Sequence, residues 1–410
     1  MPSVKNISPY QFAAFRIVFG VYLMIHFAGL LPYGTELFSN QGVLADPHLN
    51  FTHGILPNPL ELWGSPAQVT AFLAAMILLS SFFTVGLLRR TSALLLWFGW
   101  ACLFNRNNLI SNPSIPYVGL LLILCALVPA GEPLSFRKSK SESTWYLPWG
   151  IYAVAWILMA AGYTFSGCIK LSSPSWIDGT ALTHLLNNPL ARPGAFRDLF
   201  LALPELAAKM MTWGVLALEI LFLPLCVHRR TRLFAWLSMV IMHAGILLMV
   251  NFADLSFGML MIHFFTFDPN WLPARGRANQ QPLVLFDGKC GLCDQTVQFL
   301  LDEDRNATLA FAPLQGETAS AILRRQGAVD DPLGSVVYVR DHKVIRRSQA
   351  ILMILSDLGG FWRLVSWLRI VPLTLRDAVY DWVARHRYEW FGQHAECILP
   401  SPAVKARFLP

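Results

Sequence analysis

The chain has 410 residues, of which 55% are hydrophobic and only 14% charged, with a formal net charge of +7. Soluble domains carry about 25% charged residues, so charge this sparse points to lipid and excludes a wholly soluble protein. The basic residues flank apolar runs and form no compact stripe, which excludes nucleic acid as a partner.

The apolar residues crowd into long runs before about residue 270. A membrane-spanning helix needs about 20 largely apolar residues. About eight stretches qualify as candidates: 10–32, 68–88, 91–105, 115–130, 147–168, 207–227, 231–250 and 253–268. Lipid offers the backbone no hydrogen bonds, so such runs are expected to be helical. The first run contains Arg16 and lacks a small-residue cleavage site, so no cleavable signal peptide is expected.

Loop charge sets the expected orientation. Arg89 and Arg90 close the second run. Arg137, Lys138 and Lys140 follow the fourth, Arg229, Arg230 and Arg232 the sixth, and Arg275 and Arg277 the eighth. The loop from Pro32 to Gly64 has no Lys or Arg. The positive-inside rule then predicts cytoplasmic termini in a bacterial inner membrane, with loops 33–66 and 169–206 outside. Lys170, Arg192 and Arg197 in the second of these loops are exceptions.

Six ionisable residues fall inside the runs: Arg16, His26, Glu219, His243, Asp254 and His263. Such groups are costly in lipid and face the bundle interior or a cavity. The structural alternative is a buried pair that fixes helix packing, for which Arg16 and Glu219 are the candidates. Together the six favour a polar cavity, with Trp176, Glu219 and His243 as candidate lining.

At the end of the fifth run the chain reads Tyr163-Thr-Phe-Ser-Gly167-Cys-Ile-Lys170-Leu171, then Ser175-Trp176-Ile-Asp178-Gly179. Lys170 would either snorkel to the interface or, held in an apolar pocket, serve as a base. The pattern of Tyr163, Gly167, Lys170, Leu171, Trp176 and Gly179 resembles the HTTM family, the membrane domain related to vitamin K-dependent gamma-carboxylase. Met242-His243 with Ser256-Phe-Gly258-Met259 adds a second block, and the resemblance covers about residues 8–270. It implies that Lys170 is the base that deprotonates a reduced vitamin K-like ligand. The carboxylase has a functional histidine near the segment Asn112-Pro-Ser114-Ile-Pro-Tyr117, where this chain has none, and the carboxylase's large lumenal domain is missing. The resemblance therefore favours a quinone-binding cavity over carboxylation.

A polar linker, 274–281, separates the 1–273 bundle from a 282–410 soluble domain. Pro282-Leu-Val-Leu-Phe286 reads as a strand and Asp287-Gly288-Lys289 as a turn. Cys290-Gly-Leu-Cys293 opens a helix through Leu301. A helix N-terminus stabilises a thiolate, and Lys289 would add positive charge. Cys293, one turn on, resolves a mixed disulfide by attacking it. A structural zinc would need Cys397 and His386 or His394, and no second paired motif supports it, so no metal is expected. Cys102, Cys125, Cys168 and Cys226 lie in or beside apolar runs and read as small hydrophobes.

Beyond the pair, 309–314 reads as a strand, 317–326 as a helix, 335–347 as a hairpin and 348–358 as a helix. The order β-α-β-α-β-β-α is that of a thioredoxin or glutaredoxin core. Trp362, Trp367, Trp382 and Trp390 suggest extra C-terminal helices packed on the core by their apolar faces; docking on the membrane surface is the alternative. The fold class expected is thus a polytopic α-helical bundle followed by a soluble α/β thioredoxin-like domain.

Residues 282–400 resemble the DCC thiol–disulfide oxidoreductase family through Leu285-Phe-Asp287-Gly-Lys-Cys290-Gly-Leu-Cys293, Phe311-Ala-Pro-Leu-Gln315, Arg347-Ser348, Arg376-Asp-Ala-Val-Tyr380 and Arg387-Tyr388-x-Trp390-Phe391-Gly392. The resemblance implies that Cys290 and Cys293 are the redox pair, supported by Asp287 and Lys289. Thioredoxins place a cis-proline before the third strand; here Ser335 stands about there and Pro332 is nearest. Cys397 is expected to be structural.

Three functions are compatible. The first is a membrane-bound thiol–disulfide oxidoreductase whose bundle binds a hydrophobic partner such as a quinone. Its other partner would be a thiol or disulfide, on a protein or a small molecule. The pair itself needs no cofactor. The second is a carboxylase- or epoxidase-like enzyme with Lys170 as base and the thiol domain as accessory reductant. About 30 Å of hydrocarbon would then separate Lys170 from Cys290, and only a mobile carrier could couple them. The third is a non-enzymatic scaffold carrying a redox sensor.

Overall fold

A computed structural model describes residues 7–50, 53–54, 57–136, 145–274, 280–325, 336–393 and 404–410. Arg137, Lys138, Lys140, Arg275, Arg277, Pro332, Ser335, His394, Cys397 and most of the 274–281 linker lie outside the described residues. The chain divides into two compact units, Met1–Phe267 and Asp268–Pro410.

The first unit is helical. Its principal helices are α1 (Pro9–Leu30), α2 (Pro66–Val85), α3 (Arg89–Arg106), α4 (Ile115–Leu127), α5 (Trp149–Lys170), α6 (Glu205–Ile220), α7 (Arg229–Met249) and α8 (Ala253–Phe265). Ser8 caps α1 by accepting from the Tyr10 amide, and Pro9 occupies its first turn.

Among the described residues, four helical segments are long and apolar enough to cross a membrane: Pro9–Phe38, α2, α5 and α7. A fifth arises if Ala195–Leu201 and α6, bent by 107°, count as one span. This falls short of the eight expected, for physical reasons. Helix α3 begins with two arginines and ends in a third. Helices α4 and α8 have 13 residues each. At 1.5 Å per residue they reach about 20 Å, against a hydrocarbon core of about 30 Å.

Buried charge organises one end of this unit. Arg16 is fully buried and donates to the Leu134 carbonyl at 2.7 Å. Arg89 donates to Glu132 at 2.7 Å and to the carbonyls of Val128 and Pro129. Arg16 lies 3.7 Å from the same Glu132 carboxylate. The pairing of Arg16 with Glu219 is therefore incorrect. Glu219 is taken by Lys170, and Arg16 finds its carboxylate after α4.

The second unit holds a four-stranded sheet ordered β2-β1-β3-β4. Strand β1 (Leu283–Phe286) runs parallel to β2 (Ala310–Pro313) and antiparallel to β3 (Val337–Arg340), which pairs with β4 (Lys343–Arg346). Helix α9 (Gly291–Glu303) links β1 to β2, α10 (Glu317–Arg325) follows β2, and α11 (Arg347–Leu358) follows β4. The order of elements is that expected of a thioredoxin or glutaredoxin core. Strand alternation sends Val284 and Phe286 to one face, with Val297 and Leu300 of α9 and Ala350 and Ile354 of α11. Leu283 and Leu285 face the other side with Ala319 of α10. Asp341 and His342 both take positive φ, the geometry of a tight two-residue hairpin turn.

The C-terminal tryptophans divide. Trp362 is half-buried, lies edge-on to Phe299 and donates to Glu303 at 2.6 Å. Trp367, Trp382 and Trp390 are exposed, which corrects the expectation that all pack on the core. Helix α12 (Leu373–Phe391) turns Ala384 and Arg387 inward instead, because Arg387 has a buried partner.

Glu132 neutralises two buried arginines, so Glu132→Ala should destabilise the protein by about 3 kcal/mol or more. Thermal unfolding of the full-length protein in detergent measures this; an unchanged midpoint would show that the pairing carries no stability.

Candidate redox site and the polar clusters of the bundle

Strand β1 ends at Phe286 and the chain turns through Asp287-Gly288-Lys289 to place Cys290 at the N-cap of α9. The Cys290 sulfur accepts from the Cys293 amide at 3.4 Å. Both cysteines are free and buried. A sulfur in this position meets the unpaired amides of the first helical turn. Burial, and then the neighbouring Cys290 sulfur, push the Cys293 thiol up to about 12. Cys293 therefore stays protonated at neutral pH.

Asp287 holds the turn in shape. Its Oδ1 accepts from the Lys289 amide at 3.1 Å and from Gln315 Nε2 at 3.0 Å. Its Oδ2 accepts from Arg387 Nη2 at 3.1 Å and from the Tyr388 hydroxyl. Burial alone would raise the Asp287 carboxyl, but the hydrogen bonds from Tyr388, Lys289, Gln315 and Arg387 outweigh it and hold it below its ordinary value. The Lys289 side chain is exposed. Arg387 is the buried cation of the site: burial lowers its guanidinium, while Tyr388, Asp287 and the Cys290 sulfur raise it further, for a net rise.

The chain's own segment after α12 lies against the pair. The Gly291 amide donates to the Gly392 carbonyl at 3.2 Å, and Gln393 forms an antiparallel bridge with Cys290. A Cβ on Gly291 would come within 2.3 Å of the Phe391 carbonyl oxygen, so only glycine admits this approach. Cys290 is left 1% exposed.

In the bundle, Tyr163, Gly167 and Lys170 fall at i, i+4 and i+7 of α5 and share one face. Lys170 donates to both Glu219 oxygens at 2.6 Å and sits 4.5 Å over the Trp176 ring. Ser166 donates to Glu219 at 3.3 Å. A Cβ on Gly167 would meet the Ile220 amide nitrogen at 2.7 Å, so glycine brings α6 close enough for this pair. His243 is buried elsewhere, 2.8 Å from the Tyr163 hydroxyl, which is also 2.8 Å from His263. A third cluster joins His26 to Asp254 at 2.7 Å, with Tyr22 at 2.9 Å and Asn112 at 3.2 Å.

Of the residues singled out from sequence, the structure groups Cys290, Cys293 and Asp287 in one site and Lys170, Glu219 and Trp176 in another. His243 stands apart with Tyr163 and His263. Gln315, Arg387, Tyr388 and Gly392 stand in the sequence motifs of the domain, and local sequence alone gives them no place at the site. Their signal was the motif itself; their meeting point, Asp287, lies 100 residues from Arg387.

Comparison with known proteins agrees with this division. A family model for the HTTM domain matches residues 4–271, and one for DCC1-like thiol-disulfide oxidoreductase matches residues 284–393. The chain is 41% identical over 128 residues to the uncharacterized protein YuxK of Bacillus subtilis, covering 31% of this chain and 93% of that protein. It is 38% identical over 122 residues to a chloroplastic DCC family protein of Arabidopsis thaliana, covering 30% of this chain and 71% of that one. No solved structure matches. The chain belongs to the HTTM family through its helical unit and to the DCC family through its sheet-bearing unit.

Gly291→Ala must displace the 391–393 segment. If the added methyl weakens that contact by about 1.4 kcal/mol, alkylation of Cys290 by N-ethylmaleimide should quicken about tenfold. Peptide mass spectrometry of the full-length protein reads the rate, and an unchanged rate would show that the segment does not limit access. A second expectation concerns pH. A carboxyl held below its unfolded value of about 3.9 contributes stability that is present above that value and lost as pH falls through the folded one. Asp287→Asn should therefore flatten the loss of stability below about pH 4, as read by acid unfolding.

Proposed function

We propose that this protein is a membrane-bound thiol–disulfide oxidoreductase in which the Cys290–Cys293 pair exchanges electrons with a lipid-soluble quinone. The observation that carries this reading is the placement of Cys290 at the N-cap of α9, with Cys293 one turn behind it and Asp287 and Arg387 beside it. Cys290 thiolate attacks a partner disulfide and forms a mixed disulfide, releasing one partner thiolate. Cys293 then attacks the Cys290 sulfur, releases the second partner thiol and closes the pair as a disulfide. The carrier then restores the pair: disulfide plus quinol gives dithiol plus quinone, two electrons and two protons passing together.

The membership of a thiol–disulfide oxidoreductase family supports the thiol half of this reading. The helical unit, with its HTTM match and its buried polar clusters, supports the lipid-soluble half. Loop charge supports an inner-membrane setting with cytoplasmic termini.

The carboxylase-like alternative asks Lys170 to act as a base. Lys170 already donates to both oxygens of Glu219, so that chemistry requires the pair to open first. The quarter exposure of the Lys170 side chain beside Trp176 keeps this second reading in view.

Cys290→Ser should abolish dithiol–disulfide turnover. Cys293→Ser should accumulate a mixed disulfide at Cys290, detected as a mass adduct lost on reduction. Turnover by Cys290→Ser would overturn the assignment. Quinone extracted from the purified protein should change redox state when the pair is reduced or oxidised; a quinone unresponsive to the pair would remove the carrier from the cycle.

A further inference from the structure

We infer that the exposed aromatic stripe of α12 docks on the surface of the lipid bilayer and so holds the Cys290–Cys293 pair at the membrane interface. The polarity of α12 runs the wrong way for a soluble surface. Asp377, Tyr380, Ala384 and Arg387 follow at helical spacing and face the domain. The three polar members each have a partner there. Asp377 accepts from the Ser348 hydroxyl, Tyr380 accepts from the Val336 amide at 3.0 Å, and Arg387 donates to Asp287 at 3.1 Å. The opposite stripe is Leu375, Val379, Trp382, His386 and Trp390, and all but His386 are exposed. A surface helix of a soluble domain shows the reverse, apolar inward and polar outward.

The stripe is continuous. The rings of Trp382 and Trp390 are 4.9 Å apart, and His386 lies 5.5 Å from the first and 5.2 Å from the second. The short turn before α12 adds exposed Trp367, Leu368 and Ile370. Among the described residues of the second unit, every exposed large hydrophobic side chain except Leu409 lies between Trp367 and Phe391. Exposed hydrophobes scattered singly need no account, whereas one element that gathers nearly all of them marks an interaction surface.

Two observations name the bilayer as the occupant. The same chain carries four helical segments long and apolar enough to cross a membrane, so a bilayer stays within tether reach of every copy of this domain. The stripe also has interfacial chemistry. Tryptophan settles at the level of lipid headgroups, and the exposed Arg369 and Arg385 can meet their phosphates, against one exposed acid on α12, Glu389. At its C-terminal end the stripe runs into Phe391–Gln393, the segment that bridges to Cys290. Docking therefore brings the redox pair to the membrane surface, where a lipid-soluble carrier would meet it. That last clause rests on the quinone reading above; the docking does not.

The test uses the full-length protein in nanodiscs of phosphatidylcholine and phosphatidylglycerol. The photolabel p-benzoylphenylalanine replaces Val379, Trp382 or Trp390, one at a time. Irradiation should join each label to lipid, read by mass spectrometry as a lipid adduct on the labelled peptide. The same label in place of Lys343, an exposed residue of β4, should give none. No adduct on the stripe, or equal adducts on the stripe and at Lys343, would overturn the docking. Adducts to a second copy of the chain in place of lipid would overturn it as well. Leu375→Asp with Val379→Asp, in protein labelled at Trp390, should cut the lipid adduct roughly threefold or more, because two apolar side chains no longer leave water. Both positions face away from the core, so the fold is not at stake, and an unchanged yield would count against the stripe as the docking element. Reduction of the Cys290–Cys293 disulfide by menadiol in the same nanodiscs should slow in this double variant. Wild-type protein that menadiol leaves oxidised would defeat the quinone reading while the lipid adducts still decide the docking.

Discussion

A charge taken out of water must be met by another group, and in this protein that single requirement fixes most of what is distinctive. Desolvation costs several kcal/mol per ion, and only close partners return it. Arg16 and Arg89 converge on Glu132. Lys170 closes on Glu219, His26 on Asp254, and Arg387 on Asp287. Each pair joins elements far apart in sequence, so each specifies which helix or loop must lie beside which. Apolar packing alone would tolerate many arrangements of such similar hydrophobic helices; partnered charges tolerate few.

The same requirement works at smaller scale around the thiols. Asp287 is useful there because it is saturated: amide, carboxamide, guanidinium and phenol each take one of its lone pairs. A carboxylate so occupied stays anionic, keeps the turn before Cys290 rigid and anchors Arg387 near the sulfur. Positive charge at the pair thus comes from a residue at the far end of the domain, while the adjacent Lys289 contributes its backbone amide.

What could be read from sequence follows the range of the interactions involved. The strand at 282–286, the helix opened by Cys290 and the hairpin at 335–347 depend on local periodicity and turn chemistry, and they are legible in the sequence. Glu132 as the partner of Arg16 was not, because helix sequence says that a charge needs a partner without saying which. Trp382 and Trp390 misled for a related reason. Aromatic spacing identifies a helix face but not the direction it points, and Arg387 decided the direction. Length limits the spans supported among the described residues to four or five: Ile115–Leu127 and Ala253–Phe265 are apolar enough but short. Lys170, Trp176 and Glu219 were each noticed separately, whereas Gly167, which lets their helices approach, was noticed only as part of a pattern.

The segment Phe391–Gln393 over Cys290 has a consequence for chemical damage. Thiolates exposed to solvent climb an oxidation ladder from sulfenic to sulfinic and sulfonic acid, and the upper rungs are irreversible. A cysteine buried beneath its own chain is out of reach of a peroxide in solution. The bridge between Gln393 and Cys290, which leaves the sulfur 1% exposed, therefore shelters it from that ladder.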